Sequence, residues 1–251
     1  MKISISELIR KTGQTVFKDK IIFAPALISY FISYLLVKAS KIDLEKLGNI
    51  KDLNLDSATI LYLLPIPFFH LVFFSATIVM AISLYKDKAI SIPESFVSVF
   101  KKLPHILVGL LTIVLPLFGA LFFVDTLGDL PKMLNAAILL GIVGLILIAV
   151  LILEFIPIVI FVENRRWFGS VFRSIQFFKQ NFSGSIILLC LIINIRIVGG
   201  FLSAIFSGIP VFGKSVFSVF FNGTAECIFY SMCVVFYFLA TQPKPKVDLQ
   251  R

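Results

Sequence analysis

The sequence predicts an all-α polytopic membrane protein: six transmembrane helices in three hairpins, each hairpin preceded by a cytoplasmic amphipathic helix. Three observations predict it. The 251 residues are 59% apolar and only 15% charged, with a mean hydropathy of +1.01, whereas soluble domains run about a quarter charged and under half apolar. Six stretches reach the roughly 20 apolar residues that a helix needs to cross a hydrocarbon core of about 30 Å. Finally, the 23 Lys and Arg, against 14 Asp and Glu, concentrate in alternate connections.

The apolar runs are Ile21 to Val37, Thr59 to Leu84, Ile106 to Val124, Leu134 to Val162, Ser185 to Phe206, and Val216 to Ala240. Five of the six carry proline inside or at an edge: Pro25, Pro65 with Pro67, Pro116, Pro157 and Pro210. Membrane helices tolerate proline because neighbouring groups satisfy the freed carbonyl. The first run starts only after twenty residues bearing seven charges, so no cleavable signal peptide is expected. The whole of 1–251 reads as a single membrane domain, with 241–251 as a flexible basic tail.

Orientation follows from the Lys and Arg of the connections. With the N-terminus inside, the cytoplasmic segments hold sixteen and the opposite side six, with Arg196 left inside a span. Both termini are therefore expected in the cytoplasm, and the chain in the inner membrane of a prokaryote. The excess of positive charge implies contact with anionic lipid and the bilayer surface; nucleic acid is not expected as a partner.

The cytoplasmic segments carry a repeated pattern. Ser4-Ile5-Ser6-Glu7 and Ser91-Ile92-Pro93-Glu94 both have the spacing of a capping box. Each opens a stretch ending in Phe-Lys just before a span, at Phe17-Lys18 and Phe100-Lys101. A third copy, without the serine box, is expected to start at Asn164 and ends in Phe178-Lys179. Its apolar residues Phe168, Val171, Phe172, Ile175 and Phe178 fall at helical spacing, opposite Arg166, Ser170, Arg173 and Gln180. The chain thus divides into pseudo-repeats of about 1–84, 85–162 and 163–240. A phenylalanine face with a basic back suits a helix lying in the membrane interface. Lys18, Lys20, Lys101, Lys102, Arg165, Arg166, Trp167, Arg173 and Lys179 are the expected headgroup contacts. A collar packed beneath the bundle would give the same pattern.

Pro157, Glu163, Ser170, Arg173, Ser174, Phe178 and Lys179 together resemble the pattern after the fourth span in a prokaryotic family of six-span membrane proteins. That family is similar to the membrane domain that precedes the catalytic part of some glycerophosphodiester phosphodiesterases. The resemblance covers about 25 residues and the six-span layout, and it implies the fold rather than an activity. Only eleven residues follow Ala240, so no phosphodiesterase domain and no hydrolase activity are expected.

Four ionisable residues fall inside the spans: His70, Glu154, Arg196 and Glu226. Charges at bilayer depth almost always face the bundle interior and pair. At about 1.5 Å per residue, the four lie within roughly two helical turns of one another in depth. Arg196 is expected at the centre, flanked by Glu154, Glu226 or both, with His70 as a partner for a titrating acid and the amides of Asn194 and Asn222 nearby. The cluster reads either as a polar lock fixing helix register or as a transport site. Gly200, Ala204 and Gly208 repeat every four residues, a ridge for close packing within the bundle or between two copies.

Chemistry for catalysis is thin. Cys190, Cys227 and Cys233 read as small buried hydrophobes, and two histidines are too few for a metal site. No Glu-Glu dipeptide or paired acid/base carboxylates occur. No catalytic residue, metal or cofactor is expected. The reading is a non-catalytic integral membrane protein that organises anionic lipid, a protein partner or a homo-oligomer through its amphipathic helices. The alternative is a small secondary transporter or proton-coupled carrier using Glu154, Arg196 and Glu226.

Overall fold

The computed structural model describes residues 4–40, 63–125, 132–206 and 213–241. They form eight α-helices, and no strand occurs among the described residues. These are α1 (Ile5–Lys18), α2 (Phe23–Ala39), α3 (Pro65–Tyr85), α4 (Ile92–Asp125), α5 (Lys132–Val162), α6 (Phe168–Gln180), α7 (Phe182–Phe206) and α8 (Gly213–Thr241). Six of them, α2 to α5 with α7 and α8, contain stretches long and apolar enough to cross a membrane. The tail beyond Thr241, Gly208 and Pro210 lie outside the described residues.

Helix α8 is the hub. It packs against α1, α2, α3, α5 and α7, and 78% of its apolar window is buried against 22% for α7. The close contact with α2 is made at Gly223: a Cβ there would come within 3.1 Å of the Leu27 Cα and 3.3 Å of the Leu27 N. Helix α2 also packs on α3, α3 on α4, and α4 on α5, whereas α7 packs along α8. Phe155 of α5, Phe177 of α6, and Phe236 and Tyr237 of α8 stack at one end of the bundle, all fully buried.

The amphipathic segments depart from expectation in three ways. The second is not a separate helix: α4 runs unbroken from Ile92 through Pro104 into the span. Its capping box does form, with Glu94 accepting from the Ser91 N–H at 2.9 Å and Ser91 Oγ accepting from the Glu94 N–H at 3.4 Å. The first box does not form. Ser4 caps α1 without a side-chain bond, and Glu7 turns instead to Lys11 at 3.6 Å. The third helix begins at Phe168, four residues after Asn164, because the loop takes a left-handed step at Asn164 (φ 55°) and again at Trp167 (φ 50°). A tryptophan at positive φ is strained, and the turn is held by Ser170 Oγ donating to the Trp167 carbonyl at 2.7 Å.

The buried faces also differ from the sequence pattern. Helix α6 turns Ser170, Val171, Ser174, Phe177 and Phe178 inward, against α5 and α4, and leaves Phe168 and Phe172 exposed. Serine is small enough to let α6 approach the bundle, so Ser170 belongs to the packed face and not to the polar back. Helix α1 buries Leu8, Thr12, Thr15 and Val16 on α8 and α3 while Ile5, Ile9 and Phe17 stay exposed. Each helix is therefore both collar and apolar-edged ridge.

Candidate intramembrane polar site

The mid-span charges converge on α8. Glu226 is buried, and its Oε1 accepts from the Arg196 guanidinium of α7 at 2.9 Å. Packing at Gly223 brings α2 close enough for the Tyr30 hydroxyl to donate to the same oxygen at 3.5 Å. Glu226 Oε2 is buried with no hydrogen-bond partner. The Arg196 side chain is half exposed, with its guanidinium 5.2 Å from the centre of the Phe229 ring, a cation–π contact.

His70 does not reach either acid. Its Nδ1 is hydrogen-bonded to Ser29 Oγ at 2.9 Å and its Nε2 to Ser33 Oγ at 3.1 Å, both from α2. Its ring lies edge-on to Tyr30 at 5.4 Å and stacks on Phe74 at 4.9 Å. Tyr30 thus stands between His70 and Glu226. Glu154 forms no ion pair among the described residues; it is set apart, lining a cavity with Ser75, Phe74 and Tyr230. The expectation of Arg196 flanked by acids is met by Glu226 alone.

Asn194 and Asn222 turn back to their own helices, Asn194 to the Cys190 carbonyl at 2.7 Å and Asn222 to Ser218 Oγ at 3.1 Å. Cys227 and Cys233 are buried, but Cys190 is exposed on the outside of α7, so only two of the three fill the core. The Gly200–Ala204 ridge is likewise exposed, and a Cβ at Gly200 would meet nothing within 4 Å. It is Gly199 that faces α8, where a Cβ would sit 3.1 Å from Ala225 Cβ.

At the end of the bundle that holds α1 and α6, a second polar cluster forms around Glu163. Arg173 Nε donates to both carboxylate oxygens, at 2.8 and 3.0 Å; Tyr237 of α8 donates to Oε1, and Arg165 lies 3.6 Å away. Burial works against ionisation of Glu163, but the Tyr237 hydroxyl and the two guanidinium groups overcome it and hold the carboxyl below its ordinary range. Of the nine expected headgroup contacts, Arg165 is paired with Glu163 but stays largely exposed, and three more are taken up by the protein itself. Arg173 is held by Glu163, Lys18 pairs with Asp87, and Lys102 donates to the Ile160 carbonyl at 2.8 Å over the Phe161 ring. Lys20, Lys101, Arg165, Arg166, Trp167 and Lys179 are exposed.

The sequence reading took in His70, the charged groups and two amides, and missed Tyr30, Ser29 and Ser33. Their signal is present: two serines at i and i+4 put one polar stripe on an otherwise apolar helix. It also passed over Gly208, Gly213, Lys214 and Ser215, which have the spacing of a phosphate-binding loop. That pattern has its meaning between a strand and a helix. Here the preceding described element is helix α7, and no strand occurs among the described residues, so the pattern lacks that setting.

Fold and site together define a multi-pass helical membrane protein with an ion pair inside its bundle. No protein-family model, no curated protein and no solved structure matches the chain. The resemblance to the phosphodiesterase membrane domain therefore rests on Pro157 to Lys179 alone.

Proposed function

We propose that this chain is a non-catalytic integral membrane protein that organises anionic lipid or partner proteins along the inner leaflet. In this reading it is built as three units, each an amphipathic segment with a transmembrane hairpin, and both ends of the chain lie in the cytoplasm of a prokaryote. The bias of sixteen basic residues against six supports the orientation. The observation that carries the function is α6. Its serine face is packed on the bundle, while Trp167, Phe168, Phe172 and Phe182 stand exposed beside the exposed Arg166 and Lys179. Aromatic and basic residues on one exposed ridge suit the boundary between acyl chains and phosphate.

The test uses lipid carried through purification from membranes mixed from phosphatidylglycerol and phosphatidylcholine. Changing Arg165, Arg166 and Lys179 together to Gln should lower the phosphatidylglycerol enrichment severalfold. Arg173→Gln, whose side chain already belongs to Glu163, should lower it little. Equal enrichment in all three proteins would remove the lipid reading.

A second reading, a small carrier, is favoured by the polar line from Arg196 through Glu226 and Tyr30 to His70. Proton or solute flux into liposomes, abolished by Glu226→Gln, would establish the carrier in its place.

A further inference from the structure

The mid-span groups leave one charge without a partner. Arg196 is the single Lys or Arg within the six apolar stretches as read from the sequence, and the structure gives it to Glu226, while His70 is bonded to Ser29 and Ser33. Glu154 is the surplus acid. An uncompensated carboxylate inside a hydrocarbon slab is costly, and such residues in membrane helices are met by a partner, a water-filled space or a bound ion. What Glu154 faces is a space, a cavity of about 220 Å³ between α3, α4, α5 and α8. At about 30 Å³ per water molecule this is room for several waters or one small organic molecule.

The lining says which solute fits. One wall holds Phe74 and Tyr230, whose rings lie 5.0 Å apart. Ser75, the next residue of α3, also lines the cavity and has a buried Oγ with no partner. Pro157 has no N–H to offer the carbonyl one turn earlier, at Leu153, and both residues line the cavity. The remaining walls are aliphatic, from Leu71, Ile78 and Leu110. A single carboxylate with aromatic faces and few oxygens suits a cation that carries its own apolar surface. A bare alkali ion would need about six oxygen ligands, and the described residues contain no group of three or more His, Cys, Asp or Glu that could hold a metal.

We propose that this cavity is a binding site for a small organic ammonium, with Glu154 as its counter-charge, Phe74 and Tyr230 as its aromatic wall, and the Ser75 hydroxyl and the Leu153 carbonyl as acceptors. The cavity binds such a cation whether or not α6 binds lipid, and the probes for the two differ.

The test titrates the purified full chain with ethylammonium and tetramethylammonium chloride, following thermal unfolding at ionic strength matched with sodium and potassium chloride. One of the ammonium ions should raise the melting temperature saturably where the alkali salts do not. Glu154→Gln should weaken that response at least tenfold. Leu71→Trp fills the cavity and keeps the acid, so it should remove the response in a protein that still folds, and it decides the matter if Glu154→Gln does not accumulate. Equal protection by sodium or potassium would make this an inorganic-ion site and overturn the proposal. So would a response that survives in Leu71→Trp, or no response to either ammonium in the unaltered protein, which would mean that a proton alone neutralises Glu154.

Discussion

Two clusters in this molecule use the same three kinds of side chain and reach opposite balances. Around Glu163, one carboxylate meets two guanidinium groups and a tyrosine, and both of its oxygens are occupied. Around Glu226, the one guanidinium takes a single oxygen, the other oxygen of Glu226 has no partner, and Glu154 is left to a cavity. The first sits where the apolar stretch of α5 ends at Val162 and solvent can assist; the second lies ten residues inside the stretch of α8 that starts at Val216. Satisfied clusters rigidify a fold, whereas incompletely satisfied buried ones are kept where a ligand, a proton or a moving charge completes them. On the reading proposed above, the end cluster is a fastener and the mid-span cluster a site.

The largest way to break this comparison is Arg196→Ala. Removing one partner of a buried pair leaves an uncompensated charge, and here Glu226 loses its guanidinium. A loss of about 3 kcal/mol is expected, the lower end of the range for such pairs because Arg196 is half exposed. Thermal unfolding in detergent measures it, and an unchanged transition would show that the pair holds nothing together.

Next comes Gly223→Ala, which acts on the mid-span cluster through packing. The new Cβ would meet Leu27 Cδ2 at 2.9 Å and the Leu27 backbone beyond it, so α2 must move away and take Tyr30 from Glu226. Overpacking of this kind costs about 2 kcal/mol. Gly200→Ala, with nothing within 4 Å, should change stability by under about 0.5 kcal/mol. If the two substitutions cost the same, the ridge expected from the sequence, and not Gly223, is where helices meet.

Much of this was legible in the sequence, and the misses have physical reasons. The six apolar stretches and the four ionisable residues stand out because hydrocarbon penalises polarity so strongly that each exception is visible. Partner choice is different. Depth alone put both Glu154 and Glu226 beside Arg196, and only the rotation of α5 and α8 about their axes decides that Glu226 takes it. Gly199 and Gly200 are adjacent in sequence, yet they differ by about 100° around the helix, enough to send one to α8 and the other outward. Ser170 read as polar because serine dissolves in water; in a helix packed on another helix, its small size matters more.

Arg173→Ala sharpens the comparison from the other side. It removes the principal partner of Glu163 but leaves the Tyr237 hydroxyl and Arg165 on a partly exposed carboxylate. The expected loss is about 1.5 kcal/mol, the lower end for a hydrogen bond to a charged group, and smaller than for Arg196→Ala. A larger loss than Arg196→Ala would reverse the assignment of fastener and site.

The smallest effect, and the most specific, is the pH dependence of the end cluster. The Glu163 carboxyl is held below its ordinary range in the folded protein. A depressed folded value means that its contribution to stability is complete above the unfolded value, about 4.3 for a glutamate, and is lost as pH falls through the folded one. In Glu163→Gln that contribution is missing at every pH, and Arg173 and Arg165 face each other without their shared anion. The melting temperature of the unaltered protein should therefore exceed that of Glu163→Gln at neutral pH, and the gap should close on acidification below about pH 4.3. Taking the difference between the two proteins cancels the titration of Glu154, Glu226 and the loop acids, which both share. Tyr237→Phe should leave a smaller gap and complete its closure at higher pH, because one of the bonds that hold the folded carboxylate ionised is gone. A gap that stays constant into acid would mean that Glu163 is neutral in the folded chain, and the contrast between the two clusters would fail at its satisfied end.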